Sequence, residues 1–200
     1  NVLLEFDTYN TSGTPNIATN GTVTWQSTTA KFGQAIDTAY FNWNTNGQTM
    51  TGLTVGKTTN TQAVGISTNN VNAAGPITVY GGDINLNANL NTSAGLGNGD
   101  ILLKASGAIT QASNATVTTT GGDVTYWADS DSTNGGYIWL KSGSRITTTS
   151  AAGNIVLSGG NVADVAALAT TGYASGMTTT MGNGITIDAA SLYSFGGNIT

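Results

Sequence analysis

The 200-residue chain contains neither cysteine nor histidine. Their absence removes disulfides, thiol nucleophiles, Ser-His triads and histidine-ligated metals. Prolines number only two, Pro15 and Pro76, too few for a proline-rich linker. Charge is scarce too, at 8% of residues, with a net charge of −5. The five basic residues, Lys31, Lys57, Lys104, Lys141 and Arg145, are scattered along the chain. Nucleic acid needs a concentrated positive surface, so it is not expected as a partner. No run approaches the roughly 18 apolar residues of a membrane span, so no membrane insertion is expected. Asn1-Val2-Leu3-Leu4-Glu5 lacks the basic start and cleavage site of a signal peptide, which puts any export signal outside the chain.

What the chain does have is Thr, Asn, Ser and 28 glycines, with an apolar fraction of 38%. That fraction is low for a globule around one central core and suits an elongated fold with a thin interior. Apolar residues alternate with others in Ile84-Asn85-Leu86, Ile101-Leu102-Leu103 and Ile138-Trp139-Leu140. A period of two means strands with one face inward. Gly-Gly, Gly-Asn and Asn-Gly steps between them supply sharp corners. The inward set is Ile84, Leu86, Ile101, Leu103, Ile109, Val124, Ile138, Leu140, Ile146, Ile155, Leu157, Ile185 and Ile187. One stretch, Thr28 to Tyr40, carries a helix-like spacing at Phe32, Ile36 and Tyr40, but Gly33 and its shortness favour an irregular bulge.

Internal repetition organises the rest. Gly99-Asp100-Ile101-Leu102-Leu103-Lys104 recurs as Gly136-Tyr137-Ile138-Trp139-Leu140-Lys141, and Gly81-Gly82-Asp83-Ile84 as Gly121-Gly122-Asp123-Val124. The compound spacing of roughly 40 residues falls within the range of solenoids. Stacking like residues in register rewards such repetition, which an antiparallel sandwich does not. We therefore expect an all-β parallel β-solenoid over residues 1–200, one continuous segment, less regular in 1–52 and clearer from 53 onward, with coils of about 20 residues near the repeat lengths of such folds.

The runs Leu53-Thr54-Val55-Gly56-Lys57, Gly75-Pro76-Ile77-Thr78-Val79-Tyr80-Gly81-Gly82-Asp83-Ile84 and Gly122-Asp123-Val124-Thr125-Tyr126-Trp127-Ala128-Asp129-Ser130-Asp131 resemble the large β-strand-repeat exoproteins of bacteria, similar to filamentous-haemagglutinin-type adhesins. The resemblance covers most of the chain from about Leu53. It implies a right-handed parallel β-helix, export to the cell surface or medium, and a part in adhesion or extracellular matrix. It carries over no catalytic residue.

Candidate sites are few. Asp129, Asp131 and Asn134 set oxygen donors before a glycine turn, as a hard cation such as Ca²⁺ requires, and a solvated turn explains the same residues. No other cofactor is expected. Asp129 and Asp131 are also the one close carboxylate pair, as a glycosidase would need, but dispersed charges argue against an enzyme. Alternation sends Tyr80, Trp127 and Trp139 outward, either to contact a surface glycan or another solenoid, or to lie under a neighbouring loop. The threonine triplets Thr118–Thr120, Thr147–Thr149 and Thr178–Thr180 are spaced too unevenly for an ice-binding array. Val2-Leu3-Leu4 at one end and Gly196-Gly197-Asn198-Ile199-Thr200 at the other lack the polar caps of an isolated solenoid. The expected role is therefore structural and extracellular: a segment that continues into further solenoid or stacks on itself end to end or laterally as a fibre, with glycan adhesion as the alternative.

Overall fold

Short runs of Val, Ile, Leu and Thr favour extended backbone, and the Gly, Asn and Asp between them turn the chain. The computed structural model describes residues 1–10, 13–67, 70–92, 99–133, 135–150, 153–171 and 184–200. Every strand pairing within them is parallel, in sheets of seven, six, five and two strands. The first face comprises Val2–Glu5, Thr22–Gln26, Gly52–Val55, Ile77–Gly81, Ile101–Ala105, Val124–Ala128 and Ile155–Gly159. The second comprises Ile36–Asp37, Val64–Ile66, Ile84–Leu86, Ile109–Gln111, Ile138–Leu140 and Ile185–Ile187. Val71–Asn72, Leu90–Asn91, Thr116–Thr119, Arg145–Thr148 and Ser191–Ser194 make the third. The chain visits the faces in turn and then repeats, so the fold is a three-faced parallel β-solenoid.

The coils are longer than the expected 20 residues. On the first face Val2 lies beside Val23, then follow Leu53, Ile77, Ile101, Val124 and Ile155, so successive coils take 21, 30, 24, 24, 23 and 31 residues. The sequence repeat is not the coil. Ile101 sits on the first face beside Ile77 and Val124, whereas Ile138 sits on the second beside Ile109 and Ile185. Ile84 and Val124 are likewise on different faces. The similar stretches share local grammar, a glycine corner followed by an inward aliphatic, and the solenoid uses it on more than one face.

Inward residues form columns: Leu53, Ile77, Ile101, Val124 and Ile155 on the first face, Val64, Ile84, Ile109 and Ile138 on the second, Val71, Leu90, Val117 and Ile146 on the third, all buried. Leu86, Leu103, Leu140 and Leu157 are buried as well. Ile185 and Ile187 are a correction. They continue the columns of Ile138 and Leu140 yet are 41% and 50% exposed. Alternation gives direction, but burial in a solenoid also needs a coil on each side, and among the described residues the second sheet ends at their strand.

Two polar ladders fix the register at the corner between the third and first faces. The hydroxyls of Thr92, Thr119, Thr148 and Ser194 donate to the carbonyls of Gly99, Gly122, Gly153 and Gly197 at 2.6, 2.5, 3.1 and 2.6 Å, coil after coil. Those glycines stack so closely that a Cβ on Gly122 would strike the Gly99 carbonyl, and one on Gly197 the Gly153 carbonyl. Beside them, Asp100 Oδ1 accepts from Asp123 N at 2.9 Å, Asp123 Oδ1 from Asn154 N at 2.7 Å, and Asn154 Oδ1 from Asn198 N at 2.9 Å. Each hydrogen bond contributes on the order of 1 kcal/mol.

The two ends differ. Phe6, Tyr9, Trp25, Phe32, Tyr40, Phe41 and Trp43 fill the interior of the first coils with touching rings, Trp25 and Phe41 edge-on at 5.1 Å and Tyr9 stacked on Tyr40 at 4.9 Å. Residues 28–40 make no α-helix: Phe32 and Ile36 are buried, and a 3-10 turn covers Thr38–Tyr40. The one α-helix among the described residues, Val165–Thr171, projects from the coil that follows Ile155–Gly159. Asp164 caps it by accepting from Ala167 N at 2.9 Å. No helix among the described residues is long and apolar enough to cross a membrane.

Candidate functional site

The outward side chains of the first face include the column Tyr80, Lys104, Trp127 and Ser158. Lys104 Nζ lies 3.6 Å from the centre of the Trp127 ring, and burial holds its ammonium below the usual lysine range. Trp127 is not an exposed aromatic. It is 4% exposed, packed with Val156 and Leu168 of the helix, and its Nε1 donates to the Gly160 carbonyl at 2.8 Å. The covering element is the helix, which the alternation rule could not supply.

Tyr80 and Trp139 are half-buried. Trp139 stands on the second face between Thr110 and Thr186, with Lys141 Nζ 4.4 Å from its ring centre. Arg145 stacks on Tyr193 at 4.6 Å. Three of the five basic residues thus lie against aromatic rings, and for Lys104 and Arg145 it is a neighbouring coil that supplies the ring. Tyr80 and Trp127 share a column, flanking Lys104, whereas Trp139 is remote from that column on another face.

Of the three calcium candidates, two lie among the described residues. Asp129 is buried at a positive φ of 50°, while Asp131 is exposed with Oδ1 accepting from Thr133 N at 3.2 Å and Thr133 Oγ1 at 3.0 Å. Asn134, like Thr178–Thr180, lies outside the described residues. Among the described residues no three carboxylates gather to hold a metal.

A notch on the corner between the first and second faces escaped the sequence reading. It holds two adjoining depressions of about 170 and about 310 Å³, with Thr61, Ser106 and Asp131 lining both. Lys104 and Ser130 line the smaller one and Asp83 the larger. Lys104, Asp83 and Asp131 come from three different coils, so no local motif announces them.

At the far end, Ile185, Ile187 and Ile199 are exposed, together with Tyr193 and Phe195. Among the described residues the second sheet ends at Ile185–Ile187 and the third at Ser191–Ser194, and a single bridge joins Ile155 to Ile199. Comparison of the chain with family models, curated proteins and solved structures finds no match.

Proposed function

We propose that the protein is a structural scaffold of the extracellular space or cell surface, a solenoid that joins a second copy of itself end to end through the sheet edge at Ile185–Ile187. The carrying observation is the open edge at Ile185–Ile187, where two interior columns run out 41% and 50% exposed. A sheet edge beside an exposed aliphatic column is the kind of surface that a further parallel coil completes. Seven first-face strands stacked at about 4.8 Å span roughly 29 Å, so a fibre would grow by a short increment with each added copy. The aromatic filling of the opposite end makes the two ends chemically unlike, so the contact has a direction. The location outside the cell rests on the resemblance to bacterial β-strand-repeat exoproteins and on a surface of Thr, Asn and Ser with few charges.

Sedimentation velocity over a concentration series tests the assembly. The sedimentation coefficient should rise with concentration for the native chain and stay at the monomer value for Ile187→Lys. A native chain that remains monomeric at every concentration contradicts the reading.

A further inference from the structure

The notch has an architectural cause. From the first face to the second, the chain uses eight residues (56–63) after Gly52–Val55 and nine (129–137) after Val124–Ala128. Between them, the two intervening coils turn with only two residues (82–83) and three (106–108). Two long loops therefore stand as walls on either side of two tight corners. The walls are three coil rises apart, about 14 Å at the inter-strand spacing of a sheet.

The floor is bare because it must be. A Cβ on Gly82 would strike the Thr61 carbonyl, and one on Gly107 the Asp83 carboxylate. The walls are held in place. Asn60 Nδ2 donates to the Tyr80 carbonyl at 2.9 Å, and Lys57 Nζ to the Thr29 carbonyl at 3.0 Å. On the other side Asp129 N donates to the Gly107 carbonyl and Ser130 N to the Ala105 carbonyl, both at 3.0 Å, while Asn161 N donates to Ser132 Oγ at 2.6 Å.

We infer that this notch binds a neutral oligosaccharide of roughly two or three sugar units, a length set by the 14 Å between its walls. Lys104 offers N–H donors and has no carboxylate partner among the described residues. Asp83 and Asp131 offer acceptors, and the hydroxyls of Thr61, Ser106 and Ser130 offer both. A sugar hydroxyl donates and accepts at once, so this mixture suits it. Two carboxylates against one ammonium repel a polyanion. The polar lining and shallowness of the notch point to recognition through several weak hydrogen bonds.

The test is a two-dimensional NMR titration of the folded chain with neutral trisaccharides of glucose, galactose, mannose and N-acetylglucosamine, and with trigalacturonate. At least one neutral trisaccharide should shift the Trp127 indole N–H, which lies under Lys104, and the Ser106 and Gly107 amides. Lys104→Met should weaken that sugar tenfold or more, while Ser130→Trp, which fills the notch, abolishes the shifts. Trigalacturonate should bind more weakly than the neutral sugar. The inference is overturned if no neutral trisaccharide moves these signals, if Lys104→Met binds as the native chain does, or if trigalacturonate binds best. Release of new reducing ends would overturn it as a purely binding site. None of these readouts depends on end-to-end assembly, so Ile187→Lys can serve as a monomeric background.

Discussion

The Tyr126 hydroxyl donates to Gln111 Oε1 at 2.9 Å inside the solenoid, both residues fully buried. Gln111 stands in the aliphatic column between Leu86 and Leu140, and its Nε2 donates to the carbonyls of Ala115 at 2.8 Å and Arg145 at 3.1 Å. Burial drives the Tyr126 phenol far above its usual range, so it stays a neutral donor at every working pH. Tyr126→Phe leaves Gln111 Oε1 without its donor and should cost about 1–2 kcal/mol in urea unfolding. Gln111→Leu removes all three of these hydrogen bonds and leaves the buried Tyr126 hydroxyl without its acceptor, so it should cost more, about 3 kcal/mol. Equal stability of Tyr126→Phe and the native chain would show that the network contributes nothing.

The threonine ladder makes a second prediction. Thr119 is fully buried and donates to the Gly122 carbonyl. Thr119→Val keeps the shape and removes the donor, so it should destabilise by about 1–2 kcal/mol. Thr119→Ser, which retains the hydroxyl, should recover most of that loss in the same denaturation series.

Glycines in the same corner are constrained by stacking. Gly122→Ala places a methyl against the Gly99 backbone and should cost about 2–3 kcal/mol or prevent folding. Gly135, whose Cβ would meet nothing within 4 Å, is the control, and Gly135→Ala should change stability by less than about 0.5 kcal/mol. Similar melting points for the two variants would contradict the close stacking.

Trp127 reports on the helix. Leu168 is buried against it, so Leu168→Ala should open the cover and cost about 2–3 kcal/mol locally. A red shift of the tryptophan emission with the far-ultraviolet strand signal unchanged is the expected outcome. An unchanged emission maximum would mean that the helix does not shield the ring.

Acid should loosen the loop that follows the second first-face strand. The Thr28 hydroxyl and the Thr29 N–H bond the Asp7 carboxylate and hold it below its ordinary value of 3.8. A depressed carboxylate adds stability above its unfolded value, and that stability is lost as pH falls through the lower folded value. The protection of the Thr29 amide, measured against its intrinsic exchange rate, should therefore fall below pH 3.8 relative to neutrality, and Asp7→Asn should flatten that dependence. A native chain whose Thr29 exchange shows only the intrinsic pH dependence would contradict the assignment.

Direction along each strand was legible, because Ile101, Leu103 and Ala105 alternate wherever their strand is placed. Which face a strand joins was not. Gly82-Asp83-Ile84 opens a second-face strand and Gly122-Asp123-Val124 a first-face one, so the same local chemistry aligned stretches that do not stack. Asp164 before Val165-Ala166-Ala167-Leu168 is a readable N-cap with good helix formers, obscured by the surrounding Gly and Thr. The notch was illegible for a different reason. It depends on comparing corner lengths between stacked coils, and that comparison needs the register that only the structure supplies. Ile185 and Ile187 show the limit of alternation, which points a side chain inward without saying what covers it.

Stacking at one coil per strand spacing is the central claim, and a cysteine-free chain permits its direct measurement by paired spin labels. Leu3, Thr24, Thr54, Thr78 and Leu102 are successive neighbours in one outward row, so labels at Leu3→Cys and Leu102→Cys are four rises apart. Pulsed electron resonance should give one narrow distance distribution centred near 19 Å, allowing for the label arms. A broad distribution, or a centre beyond about 35 Å, would contradict the stacked parallel coil at its inter-strand spacing.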